Sequence, residues 1–193
     1  MLRFYLSFAI IFASLFSIQD GKTDPYKKNQ ALMASIIDDS IDQLSKRYGL
    51  IPIGTGGGEK EGKSWLKCVS FQLYKKITKD EARILMVEMV EIFLRNINKN
   101  KIIIPYLYNH PFTYKNLELS VFILDKDGSD IFHPHLGLIS LTESGTVNFV
   151  SYEPGPMCDY ATDIEEPYEE TYKIVMKKQH PGNSINQSRV FIW

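Results

Sequence analysis

One apolar run constrains this chain more than any other feature. Met1, Leu2 and Arg3 give a short positive start, and Phe4 to Ile18 follows as 15 residues interrupted by Ser7, Ser14 and Ser17. That layout is a secretory h-region, shorter than the ~20 apolar residues that cross a hydrocarbon core. No later stretch is apolar enough to span a bilayer. Roughly 170 residues must therefore bury a core of their own in water. Residues 1–18 are expected to be a signal peptide or an uncleaved N-terminal anchor, and the rest to work outside the cytoplasm: periplasm, cell envelope or medium. Signal peptidase wants small residues at −3 and −1, yet a cut after Ser17 or Ser14 puts Leu15 or Phe12 at −3. The anchor, and a plain hydrophobic arm, therefore stay open beside cleavage. No cysteine follows the run, which excludes a lipoprotein anchor. Membrane contact is expected only through an uncleaved leader.

The export reading bears on the two cysteines, Cys68 and Cys158, which sit 90 positions apart. An exported pair closing so long a loop gains up to ~4.7 kcal/mol in the chain-entropy model. Two buried free thiols acting as small hydrophobes are an equal alternative. Charge settles a further question. Lys plus Arg number 22 against 23 Asp plus Glu, and the longest basic runs are pairs such as Lys75-Lys76. A nucleic-acid binder needs a basic stripe, so that class is excluded.

The order of elements follows from periodicity. Residues 19–30 are polar, carry Pro25 and read as a linker. Residues 31–178 read as a single α+β domain, and 179–193 as a mobile tail ending in Val190-Phe191-Ile192-Trp193. Met33, Ile37, Ile41, Leu44 and Tyr48 recur at helical spacing, with Gly49 as the stop. Ser64 to Tyr74 alternates as a strand, Trp65, Val69, Phe71 and Leu73 sharing one parity with Lys67 as the exception. Its expected partner is Gly49 to Ile53, joined through a Gly54–Gly62 loop. Thr78 and Glu81 have capping-box spacing ahead of an apolar stripe from Ala82 to Ile97, which reads as core. Lys101 to Lys115 is proline-marked and aromatic, an irregular connection. Strands are expected at Leu117–Leu124, Leu136–Leu141 and Thr146–Tyr152, with turns at Asp127-Gly128 and Ser144-Gly145. A last helix is expected over Asp163–Lys178, with Pro167 in its first turn. These elements predict a two-layer α+β fold: an antiparallel sheet of four or five strands with helices on one face.

Several motifs invite chemistry and fail on context. Gly57 to Ser64 matches G-x-x-x-x-G-K-[ST]. A phosphate loop needs a helix directly after it, whereas the residues here alternate as a strand, so no nucleotide is expected. Asp125 to Asp130 spaces carboxylates as a calcium loop does, but Asp130 stands where an EF-hand needs Gly and Leu136 where it needs Glu. His133-Pro134-His135 is a weak H-x-H pair that only His110 and Asp130 could extend into a zinc set. No cofactor or metal is expected. A thiol hydrolase would need Cys68 or Cys158 beside a histidine base, and no G-x-S-x-G elbow marks a serine nucleophile.

The segments Tyr48–Gly58 (Y-G-L-I-P-I-G-T-G-G-G) and Ile164–Tyr168 (I-E-E-P-Y) resemble uncharacterised exported proteins of chlamydia-related bacteria. That resemblance would span Ser35 to Val175; it implies export from a Gram-negative-type cell and no activity, cofactor or catalytic residue. The chain is thus expected to be a small exported, non-enzymatic protein that binds a partner protein or small ligand. Its candidate surface is Gly56, Gly57 and Gly58 with Tyr106, Tyr108, His110, Phe112 and Tyr114, because aromatic rings supply contact area plus a polar handle. The alternative is a small hydrolase or metal-dependent enzyme built on His110, His133 and His135 with a cysteine or Asp130.

Overall fold

The structure, a computed structural model, describes residues 25–155 and 159–179, with side chains from residue 29 onward. Helix α1 (Pro25–Tyr48) precedes a hairpin of β1 (Ile51–Lys60) and β2 (Lys63–Leu73). Helix α2 (Lys79–Asn98) follows, then two short 3-10 turns, Ile104–Tyr106 and Tyr114–Asn116. Strands β3 (Leu117–Ile123), β4 (Leu138–Leu141), β5 (Thr146–Tyr152) and β6 (Tyr160–Pro167) lead into α3 (Tyr168–Gln179). The six strands form one sheet in sequence order. Every neighbouring pair is antiparallel except β2 and β3. A parallel pair needs a long crossover, and α2 supplies it.

Local chemistry accounts for most element ends. Thr78 caps α2 by accepting from the Glu81 amide, while the Glu81 carboxylate accepts from the Thr78 amide. Each interaction satisfies a first-turn N–H that the helix leaves free. Gly49, at φ +70°, closes α1 with its amide on the Ser45 carbonyl. Glu61 and Gly62 both adopt positive φ, the two-residue turn whose twist matches a right-handed hairpin.

The core lies between one sheet face and the helices. Val69, Phe71 and Leu73 of β2, Leu119 and Val121 of β3, Ile139 of β4 and Phe149 of β5 are buried there with α1, α2 and α3. Helix α2, flanked by α1 and α3, is buried nearly all round, and its methionines Met86 and Met89 are fully enclosed. Truncating a ring such as Phe71 or Phe93, each with no exposed surface, would cost ~3–5 kcal/mol. Opposite parities of the strands present Ser70, Ser120, Ser140 and Asn148 as one row across the sheet.

Four sequence expectations are corrected. The sheet has six strands rather than four or five. Gly54 to Gly58 are not a loop but the middle of β1, paired with β2 as far as Lys60. Asp163 to Pro167 belong to β6, paired with β5, and α3 begins only at Tyr168. Strand β6 is an edge strand, and edges tolerate charge and a terminal proline. Helix α1 starts at Pro25, inside the stretch read as linker, since proline suits a first helical position. The Ser144-Gly145 turn joins β4 to β5, whereas Asp127-Gly128 turns within a longer excursion, 124–137, between β3 and β4. Residues 1–24, Cys158 and the tail from 180 lie outside the described residues.

Candidate functional site

The glycine run of β1 creates room for its neighbours. A Cβ on Gly57 would stand 2.5 Å from the Leu66 carbonyl oxygen and 3.2 Å from Lys67 Nζ; one on Gly58 would stand 2.4 Å from Trp65 Nε1. The side chains of Trp65 and Lys67 therefore lie across β1, over positions that only glycine leaves open. The pairing slips between Gly58 and Glu59, so that Gly58 faces Leu66 while Glu59 faces Ser64, leaving Trp65 as the extra residue. Residues three apart on a regular strand point to opposite faces; a bulge between them restores one side. Ser64 and Lys67 consequently line the same cleft.

That cleft, of about 380 Å³, opens between α1 and the β1–β2 hairpin. Met33, Ala34 and Ile37 of α1 and the buried Ile103 form its apolar wall. Gly56, Thr55 and Tyr106 form the opposite side, and the exposed Asp38 and Glu59 also line it. The half-buried Lys67 makes no ion pair or hydrogen bond with a described residue, and burial holds its ammonium below the ordinary lysine range against the field of Glu59. The Ser64 hydroxyl oxygen is buried with no hydrogen-bond partner among the described residues. An apolar wall with a few unengaged polar groups is the usual makeup of a small-ligand site.

The expected surface is divided. Gly56 and Tyr106 meet in the cleft. Gly57 lies under Lys67 and Gly58 under Trp65. Tyr108 is exposed on a neighbouring patch, where Lys60 Nζ sits 3.8 Å from the Trp65 ring centroid and 5.8 Å from that of Tyr108. His110 is exposed in the irregular segment. Phe112 and Tyr114 are corrected outright: both are core. Asn98 clamps the Phe112 backbone through its amide and carbonyl, and Tyr114 stacks on Tyr168 while donating its hydroxyl to Glu169. Lys67 and Ser64 were missed as site residues, although Lys67 was already the one charged position on the apolar parity of its strand.

The other candidates take structural roles. Cys68 is a free thiol that donates to Glu118 across β2 and β3, and burial, helped by Glu118, pushes it up to about 11. A thiol so held is protonated at neutral pH and a poor nucleophile. Its expected partner Cys158 lies outside the described residues. His133 faces the Ser151 hydroxyl at 3.3 Å. Asp130 lines a second cavity of about 320 Å³ with Phe122, Phe132, Tyr152 and Tyr160. Among the described residues no group of three His, Cys, Asp or Glu could hold a metal, so His110, His133, His135 and Asp130 do not form a ligand set. Gly57 to Ser64 occupies the two arms and turn of the hairpin rather than a loop ahead of a helix. Asp125 is paired with Lys76, and Asp127 accepts from Ser129, as in a polar turn. Among the described residues no helix is long and apolar enough to cross a membrane.

Fold and site together define a two-layer α+β protein with a lateral cleft between its first helix and an edge hairpin. Compared with protein-family models, curated proteins and solved structures, the chain matches none.

Proposed function

We propose that this is a small exported binding protein that carries out no chemistry and holds a small ligand in the cleft between α1 and the β1–β2 hairpin. The observation that carries this reading is the cleft itself: about 380 Å³, walled by Met33, Ala34, Ile37 and Ile103, with Lys67 and Ser64 lining it and neither making a side-chain hydrogen bond or ion pair among the described residues. Sites of ~300–1,000 Å³ with this mix of surfaces commonly bury small molecules. The apolar leader and the resemblance to exported proteins of chlamydia-related bacteria support its working outside the cytoplasm, beside or beyond the membrane. The raised thiol of Cys68 favours binding over thiol catalysis.

The test uses N-phenyl-1-naphthylamine, a neutral apolar fluorophore, with the purified protein. Emission rises on mixing, and Ala34→Trp, which fills the cleft from an exposed helix position, removes the rise while leaving the circular dichroism spectrum intact. No enhancement, or enhancement that Ala34→Trp leaves unchanged, rejects the cleft as the site. Cell fractionation tests the compartment: protein found only in the soluble cytoplasm rejects export.

A further inference from the structure

We infer that the cleft takes an amphipathic monocarboxylate, its apolar body against α1 and its carboxylate on Lys67 and Ser64. The inference rests on the cleft being the binding site and adds the ligand's chemical class. Beyond the bulge, strand β2 otherwise keeps apolar residues on this parity, Val69, Phe71 and Leu73 all being buried. A lysine among them must leave its ammonium half out of water, a cost that structures normally offset with a carboxylate partner. Here the side chain instead lies across Gly57, its Nζ 3.2 Å from where a Cβ would be, and lines the cleft with no ion pair among the described residues. Ser64 repeats the pattern with a buried hydroxyl that has no hydrogen-bond partner among the described residues.

The bulge at Trp65 is what brings these two groups to one side. Together they offer a cation and a hydroxyl donor, the complement of one carboxylate, and charge-assisted hydrogen bonds are the strong ones. The remainder of the cleft argues against a more highly charged anion. Asp38 and Glu59 line it as well, so a second negative charge on the ligand would meet two carboxylates. The apolar wall of Met33, Ala34 and Ile37 suits a hydrocarbon body, whose burial adds ~0.8 kcal/mol per CH₂.

Three probes with the same chain separate the terms: octanoate, octanol and octylammonium, each displacing N-phenyl-1-naphthylamine from the purified protein. Octanoate is expected to compete at least roughly tenfold better than octanol, the factor that one charge-assisted bond supplies. Lys67→Met abolishes that preference, so that octanoate and octanol compete equally. Ser64→Ala, which removes a hydroxyl with no partner among the described residues, lowers the preference about threefold without unfolding the protein, and so decides the matter should Lys67→Met not fold. Equal competition by octanoate and octanol overturns the inference, as does a preference for octylammonium or a preference that survives both variants. Those results leave the cleft standing, because fluorophore binding and its loss in Ala34→Trp are read separately; failure of the fluorophore itself removes both.

Discussion

The Glu166 carboxylate gives the sharpest stability prediction. It accepts two hydrogen bonds from Arg83, at 3.0 Å from Nε and 2.5 Å from Nη2, and Lys79 Nζ lies 2.6 Å away. Thr171 also donates to it at 3.3 Å, so one side chain on β6 ties the first turns of α2 and α3 together. Arg83, and then Lys79, hold Glu166 down from 4.5 to about 2, which corresponds to at most ~3.4 kcal/mol at neutral pH. Glu166 is 14% exposed and Lys79 30%, so solvent screening reduces the usable part to about 2 kcal/mol. Glu166→Gln is expected to cost about that much in urea unfolding, and the double-mutant cycle with Arg83→Met to show a coupling of at least ~1 kcal/mol. The sign with pH follows from the depressed value. The stabilisation is complete above the unfolded value of 4.5 and is lost as pH falls towards 2. The gap between wild type and Glu166→Gln must therefore shrink in acid. A coupling below ~0.3 kcal/mol, or a gap that holds or widens as pH falls, refutes the reasoning.

Two further outcomes follow from single contacts. Asn98→Ala leaves the buried amide and carbonyl of Phe112 without partners, so urea unfolding should show a loss of about 3 kcal/mol; a loss under ~1 kcal/mol means that the segment is not held by that clamp. Cys68, pushed up to about 11, should be alkylated by iodoacetamide at neutral pH about a hundredfold more slowly in the folded protein than in urea. Peptide mass spectrometry reads this site separately from Cys158, and equal rates in the two states would show that the thiol is not shielded.

Where the sequence was legible, the signal was local. The Thr78–Glu81 box and the stripe from Ala82 to Ile97 depend on neighbours within a helical turn or two, and they mark α2 correctly. The Ser144-Gly145 turn is legible for the same reason. Gly54 to Gly58 misled because glycine is a poor strand former on its own account, while its place in β1 is set by Trp65 and Lys67 arriving from the next strand. Residues 163–167 misled because their charges fit a helix start as well as an edge strand, and the choice was made by pairing with β5 and by Arg83. Phe112 and Tyr114 looked like a surface because proline-marked aromatic segments often are one; Asn98, Tyr168 and Glu169 draw them inward.

Residue order alone therefore determined the three helices, most of the strands, the α+β class and the apolar parity on which Lys67 is the exception, since each is a matter of spacing along one chain. Only the tertiary structure decided that β2 and β3 run parallel, that a bulge at Trp65 turns Ser64 towards the side Lys67 faces, and that α1 stands far enough from β1 to leave a cleft. Those outcomes are set by contacts between segments distant in sequence, where the shape of one element fixes the space left to another.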